Sequence, residues 1–173
     1  MRPVLIRYGC SWGNDARAAK ILGEAVRAVN QEVKKRAAGQ SWAAAAQLPG
    51  KLVEGRRLRA TPALTVLQGI ELSIESADIL LFDLTPETGH AQGKSNVLLE
   101  LGIAIAKKKE VYVCHRGTVK LEAVPSDLQG ILVCRIAKSR FEPALHRRLC
   151  MRSLQIVCDR ANSTSSDPDG LHP

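Results

Sequence analysis

The sequence predicts an α/β fold: about five parallel strands in one doubly wound sheet with helices on both faces, a flavodoxin-like (Rossmann-like) arrangement. Two observations carry that expectation. "PVLIRYG" (3–9), "ADILLFDLT" (77–85) and "EVYVCHR" (110–116) are apolar runs without strict alternation, as strands covered on both faces require. Between them lie stretches with helical periodicity, and strands that alternate with helices imply crossovers and a parallel sheet.

The elements follow in order. After the first strand, "CSWGND" (10–15) is turn-rich, and Asn14 or Asp15 can cap a helix over 15–38. Its apolar positions include Ala19, Leu22, Ala25, Val26 and Val29. Residues 39–62 mix alanines, a Pro-Gly break and a basic cluster, with a short strand near 51–54. "ALTVLQGIELSIES" (63–76) is an amphipathic helix, and the strand of 77–85 follows it. "PETGHAQGKS" (86–95) reads as a loop, and Asn96 starts an apolar helix that closes on "KKK" (107–109). After the strand of 110–116, "VPSDLQG" (124–130) is a loop and "ILVCRI" (131–136) the last strand. Residues 139–160 form a closing helix. The domain spans 1–160, and 161–173 reads as a disordered tail.

Composition narrows the function classes. The chain has 173 residues, enough for one domain with a real core, and 45% of them are hydrophobic. The apolar run near the N-terminus is too short for a signal sequence, and no stretch nears the ~18 apolar residues of a membrane span. The expected location is cytoplasmic, with no membrane partner. Five cysteines and four histidines show no zinc-ligand spacing, so the thiols read as reduced and mostly buried, with no metal.

Lys plus Arg exceed Asp plus Glu by 25 to 17, a net charge of +8 that suits nucleic acid or a phosphorylated ligand. Against nucleic acid stand the 3% aromatic content and the placement of "VKKR" (33–36) and "KKK" at helix C-termini, where cations complement the helix dipole. "GRRLR" (55–59) remains the stretch that could contact a phosphate backbone.

In a doubly wound sheet the ligand sits beyond the C-terminal strand ends, and the candidate chemistry gathers there. From Val97 to Ala106 every residue is apolar or Gly except Glu100. With Asn96 as N-cap, Glu100 lies one turn in; the helix end favours its ionised form and its apolar neighbours oppose ionisation. A carboxylate held in a cleft is what a glycosyl-cleaving nucleophile or electrostatic stabiliser requires, although acids also simply favour first helical turns. Asp83 ends the strand "ILLFD", where it can hold sugar hydroxyls or merely initiate a turn.

The first loop, from Tyr8 and Gly9 through Ser11 and Trp12, faces the same edge. Gly9 permits close backbone approach to a ligand, and Trp12 either stacks on a base or packs. "GHAQGKS" (89–95) is not a phosphate-binding NTPase loop. Three residues separate its glycines where four are needed, and Thr88 stands where the first Gly belongs. Gly93, Lys94 and the helix-start amides near Asn96 can still hold a phosphate.

At these residues a family resemblance emerges. "IESADILLFDLTPETG…SNVLLELGIAIAKKKEVYV", within 74–113, resembles the pattern of nucleoside 2-deoxyribosyltransferase-like N-glycosidases and of TIR-like nucleotide-binding proteins found in bacterial antiphage systems. "VPSDLQGILV" (124–133) is similar to a segment of the TIR-like branch, and "IRYGCSWG" (6–13) loosely resembles the family's ligand loop.

The resemblance implies that Glu100 is the catalytic glutamate, which attacks the sugar's anomeric carbon or helps cleave the nicotinamide–ribose bond of NAD. It implies that Asp83 assists base or sugar binding. It also implies dimers or larger assemblies, often with a neighbour completing the site. Lys94 stands where the transferases carry an aspartate, six residues before the glutamate. A lysine there suits a phosphate and points to a nucleotide or NAD-like substrate rather than a free nucleoside. The expectation is an N-glycosidase without cofactor or metal; its rival is a TIR-like nucleotide-binding signalling or defence module that does not turn its ligand over.

Overall fold

The computed structural model describes residues 1–10, 15–41, 50–58, 65–85, 91–116, 133–137 and 140–165. Its elements are β1 (Val4–Gly9), α1 (Asp15–Ala38), β2 (Val53–Arg57), α2 (Val66–Glu75), β3 (Ile79–Asp83), α3 (Ala91–Ala106), β4 (Val111–Arg116), β5 (Val133–Ala137), β6 (Arg140–Phe141) and α4 (Pro143–Ser165). The strands form one sheet in the order β2-β1-β3-β4-β5-β6. The first five run parallel, as the sequence predicts, and β6 adds an antiparallel edge.

β3 lies inside the sheet and all five of its residues are buried, which is why its sequence is apolar without alternation. Its side chains divide between two cores. Ile79 and Leu81 meet Val4, Ile6 and Tyr8 of β1, with α1 and α4 covering that face through Leu22, Val26, Val29, Leu145 and Leu149. Leu80 and Phe82 face the other way, onto Ile74 of α2 and Val97, Leu101 and Ala104 of α3. Among the described residues each face of the sheet therefore carries two helices, the doubly wound arrangement.

Several boundaries differ from the sequence reading. β2 begins two residues later than the strand placed at 51–54 and extends to Arg57. α4 starts at Pro143, because proline is tolerated at a helix start but not inside a helix, and residues 140–141 become β6 instead. The same helix runs on to Ser165, into the stretch read as tail. α3 begins at Ala91 rather than Asn96. Ala, Gln and Lys are good helix formers, and one internal Gly costs only about 1 kcal/mol, so "AQGKS" joins the helix instead of the loop.

The edge at the strands' N-terminal ends is tied by ion pairs. Asp78 accepts hydrogen bonds from the Leu5 N–H at 2.8 Å, from Arg2 at 3.0 Å and from Arg160 of α4 at 2.6 Å. It joins β1, β3 and the last helix at one carboxylate. Asp78→Ala is expected to destabilise the fold by about 2–3 kcal/mol, since it leaves a part-buried backbone donor unpaired and removes the carboxylate shared by two guanidinium groups. Chemical denaturation checks this, and a loss below the error of the method would refute it. Lys107 and Lys109 also work at this edge: Lys107 pairs with Glu75 at 2.7 Å, and the Lys109 ammonium donates to the Glu75 and Ala77 carbonyls at the end of α2. The basic run at 107–109 thus fastens α2 to α3.

Candidate active site

From β1 the chain crosses outward to β2 and then back past β1 to β3. The C-terminal ends of β1 and β3 therefore flank the point where the winding reverses, and such points open a crevice beyond the strand ends. A cavity of about 590 Å³ lies here, within the range of small-molecule sites. Gly9 and Cys10 at the end of β1, and Arg57 and Leu58 at the end of β2, line one side of it. α2 contributes Val66, Leu67 and Ile70, and α3 contributes Asn96, Leu99, Glu100 and Ile103.

Local sequence explains both walls. α2 opens with a capping box: the Thr65 hydroxyl accepts from the Gln68 N–H, and the Gln68 side chain accepts from the Thr65 N–H. That fixes the helix start just where Val66 and Leu67 reach the cavity. On α3, residues 96, 99, 100 and 103 recur at helical spacing and share one face, while Val97, Leu101 and Ala104 share another, on the sheet. One face is apolar because it packs on the sheet, and on the other Leu99 and Ile103 line the cavity, where Glu100 is the carboxyl.

Glu100 is the tenth residue of α3, too deep for the helix N-terminus to stabilise its charge. Burial therefore dominates and pushes its carboxyl up to about 7, with the Arg57 guanidinium pulling in the opposite direction. This corrects the expectation of a carboxylate one turn from an Asn96 cap. The carboxyl rests over Gly9: a Cβ added there would lie 2.6 Å from Glu100 Oε2 and 2.8 Å from Cδ1 of the buried Phe82 ring. Only glycine leaves room for that approach.

The structure brings together Gly9, Asn96 and Glu100 from the residues picked out in the sequence. It does not bring Asp83 or Tyr8 to them. Asp83 is 3% exposed and sits in register with Cys114, whose side chain belongs to the core under α1 and α4. It accepts from the Thr85 N–H at 3.0 Å and from the Thr85 hydroxyl, a turn-forming arrangement on the sheet face opposite Glu100. Tyr8 packs in that same core, with its hydroxyl 3.9 Å from where a Cβ on Gly23 of α1 would stand. Residues two apart on a strand share a face, and Gly9 and Phe82 point toward Glu100, so their neighbours Tyr8 and Asp83 point away.

Ser11 and Trp12 lie outside the described residues. Gly93 and Lys94 fall in the first turn of α3, and the side chains of 91–95 are likewise outside the described part. Cys10 was missed as a site residue, and Arg57 was read only within "GRRLR" (55–59), as a contact to a phosphate backbone and not as part of this cavity. The signal for Arg57 was its place at the end of a strand, which the strand assigned to 51–54 hid.

No protein-family model matches the chain, and no curated protein sequence does either. The functional reading therefore rests on this geometry and on the resemblance within 74–113. A single carboxyl poised to gain or lose its proton near neutral pH, held in an apolar cleft across from a guanidinium, can stabilise a developing cation, attack an electrophilic carbon or exchange a proton.

Proposed function

We propose that the chain is an N-glycosidase that cleaves the bond between base and ribose in a nucleotide or NAD-like substrate. The observation that supports this most is the placement of Glu100 inside the cavity at the winding reversal, over the one residue that lets its carboxylate reach the strand ends. In the proposed step the C1′–N bond breaks and its electron pair leaves with the base. The Glu100 carboxylate then bonds to C1′ or stabilises the oxocarbenium ion, and water or a free acceptor base adds at C1′, giving up its proton to the departed base or to solvent. The aliphatic side chains of α2 and α3 offer an apolar bed for the base. Lys94 is a candidate for phosphate, whereas the Asn96 amide is not, because α3 already runs from Ala91; Asp83 supports the strand end from the far side.

Base release, followed by chromatography with NAD, ribonucleotides and deoxynucleotides, tests the reading. Free base should appear, and kcat/KM should rise with pH through about 7 as the carboxyl ionises in the free enzyme. A profile that falls through the same range would reject the ionised carboxylate as the working form.

A second reading has its own support. Among the described residues Glu100 is the only carboxyl lining the cavity, so no second acid stands ready to protonate a leaving base. That favours a nucleotide-binding signalling or defence module, which would show ligand-induced stabilisation without base release. In either case a homo-oligomer suits the exposed apolar side chains at the mouth, Val66 at 65% and Leu99 at 56% exposure, which a second copy could cover. The free cysteines suit a reducing, cytoplasmic setting.

A further inference from the structure

We infer that Arg57 is the anion anchor of this cavity and that it selects ligands carrying a phosphate or equivalent anion over their uncharged counterparts. The inference rests on the reading of the cavity as a nucleotide site, and it assigns the anion to the end of β2 rather than to the start of α3.

Among the described residues, Arg57 is the only cation lining the cavity. It is the last residue of β2, in register with Tyr8. Its backbone is held on both sides: the Arg57 carbonyl accepts from Arg7 Nη1 at 3.5 Å, and the next residue, Leu58, donates its N–H to the Tyr8 carbonyl at 2.9 Å. The guanidinium therefore starts from a fixed strand end.

Two further arginines lie on the same pair of strands. Arg7 and Arg56 sit side by side in the β1–β2 register, and Arg56 is already paired with Glu54 at 2.9 Å. Arg7 is held below its ordinary value by burial and then by Arg56, and its Nε is buried without a hydrogen-bond partner among the described residues. A planar guanidinium matches phosphate oxygens in bidentate fashion, which a lysine does not.

The opposite wall completes the specification. Glu100 and Arg57 line one cavity, so a ligand that spans it places its anion at the β2 end and its reacting carbon near α3. The ligand class is thus a nucleoside carrying a phosphate, with an apolar base against Leu67, Ile70 and Leu99.

The test compares full-length wild type, Arg57→Gln and Arg57→Lys. Calorimetry measures binding of the 5′-monophosphates of the common ribonucleosides, each against its own nucleoside, and base release is followed in parallel. Wild type should prefer the monophosphate by roughly 10- to 100-fold, the range expected of a charge-assisted pair. Arg57→Gln should bring that ratio close to one, and Arg57→Lys should restore part of it. Far-UV circular dichroism confirms that the variants fold, as expected for a substitution on the sheet's edge strand.

Equal losses for monophosphate and nucleoside in Arg57→Gln would overturn the inference, leaving Arg57 as a partner of Glu100 alone. So would a wild type with no preference, even one that releases base. Conversely, an Arg57-dependent preference with no base released from any ligand would uphold the anchor and remove the N-glycosidase reading.

Discussion

Glu100→Gln is expected to lose base release by about 1,000-fold or more, while the variant melts roughly 6–12 °C higher than wild type at pH 8. At pH 4 the two proteins should melt within about a degree of each other. The sign follows from the carboxyl itself. Burial raises it from 4.5 in the unfolded chain to about 7 in the folded one, so the folded state holds the proton more tightly. That contribution is fully present below pH 4.5 and is lost as pH rises through 7. Above pH 7 the buried charge costs about 3 kcal/mol. Glutamine keeps the shape and never ionises, so it is relieved of the cost where wild type is not.

Thermal melts from pH 4 to pH 8 read the difference directly. Melting curves that coincide at pH 8 would show that Glu100 is not buried as its surroundings indicate. A stabilised variant that still turned over would instead separate the carboxyl from catalysis. A group held at a cost to stability, and removed only with loss of activity, is what a working site requires of its protein.

The strands that form the site's foundation were legible because they are interior. "PVLIRYG", "ILLFD" and "VYVCH" are buried on two faces, and burial on two faces leaves only apolar residues to choose from. Glu100 was legible for the complementary reason: a single carboxyl in a run with no other polar side chain has no ordinary place. Arg57 was legible only as part of the basic cluster "GRRLR" and not as a cavity residue, because β2 is an edge strand; of its residues only Val53 is fully buried, and "VEGRR" carries no apolar run to mark its end. The start of α3 was hidden by "QGKS", whose Gly and Ser resemble turn chemistry although the segment continues as helix. The faces of Tyr8 and Asp83 depended on strand parity. A one-residue choice decides which side of the sheet a side chain joins, and only the packing of Ile6 with α1 and of Phe82 with α3 fixed it.

That same parity makes Gly9 the most sensitive backbone position in the site. Gly9→Ala is expected to destabilise the protein by about 1–3 kcal/mol and to lower kcat/KM about 100-fold. The new methyl would meet two neighbours at once, Oε2 of Glu100 at 2.6 Å and Cδ1 of Phe82 at 2.8 Å. The carboxyl is the far end of a flexible side chain and can swing aside, which moves it from the strand ends and costs activity. The Phe82 ring is fully buried and cannot move without disturbing Val97 and Leu101 behind it, which costs stability.

The two costs therefore separate in a second background. In Phe82→Leu, which removes part of the ring's bulk, adding Gly9→Ala should cost little further stability but the same hundredfold in activity. Denaturation and base release measured on the four proteins of that cycle give both terms. Recovery of activity along with stability would mean that the methyl acts only through the core. Loss of activity alone would place Gly9 where the geometry does, as the gap through which Glu100 reaches its ligand.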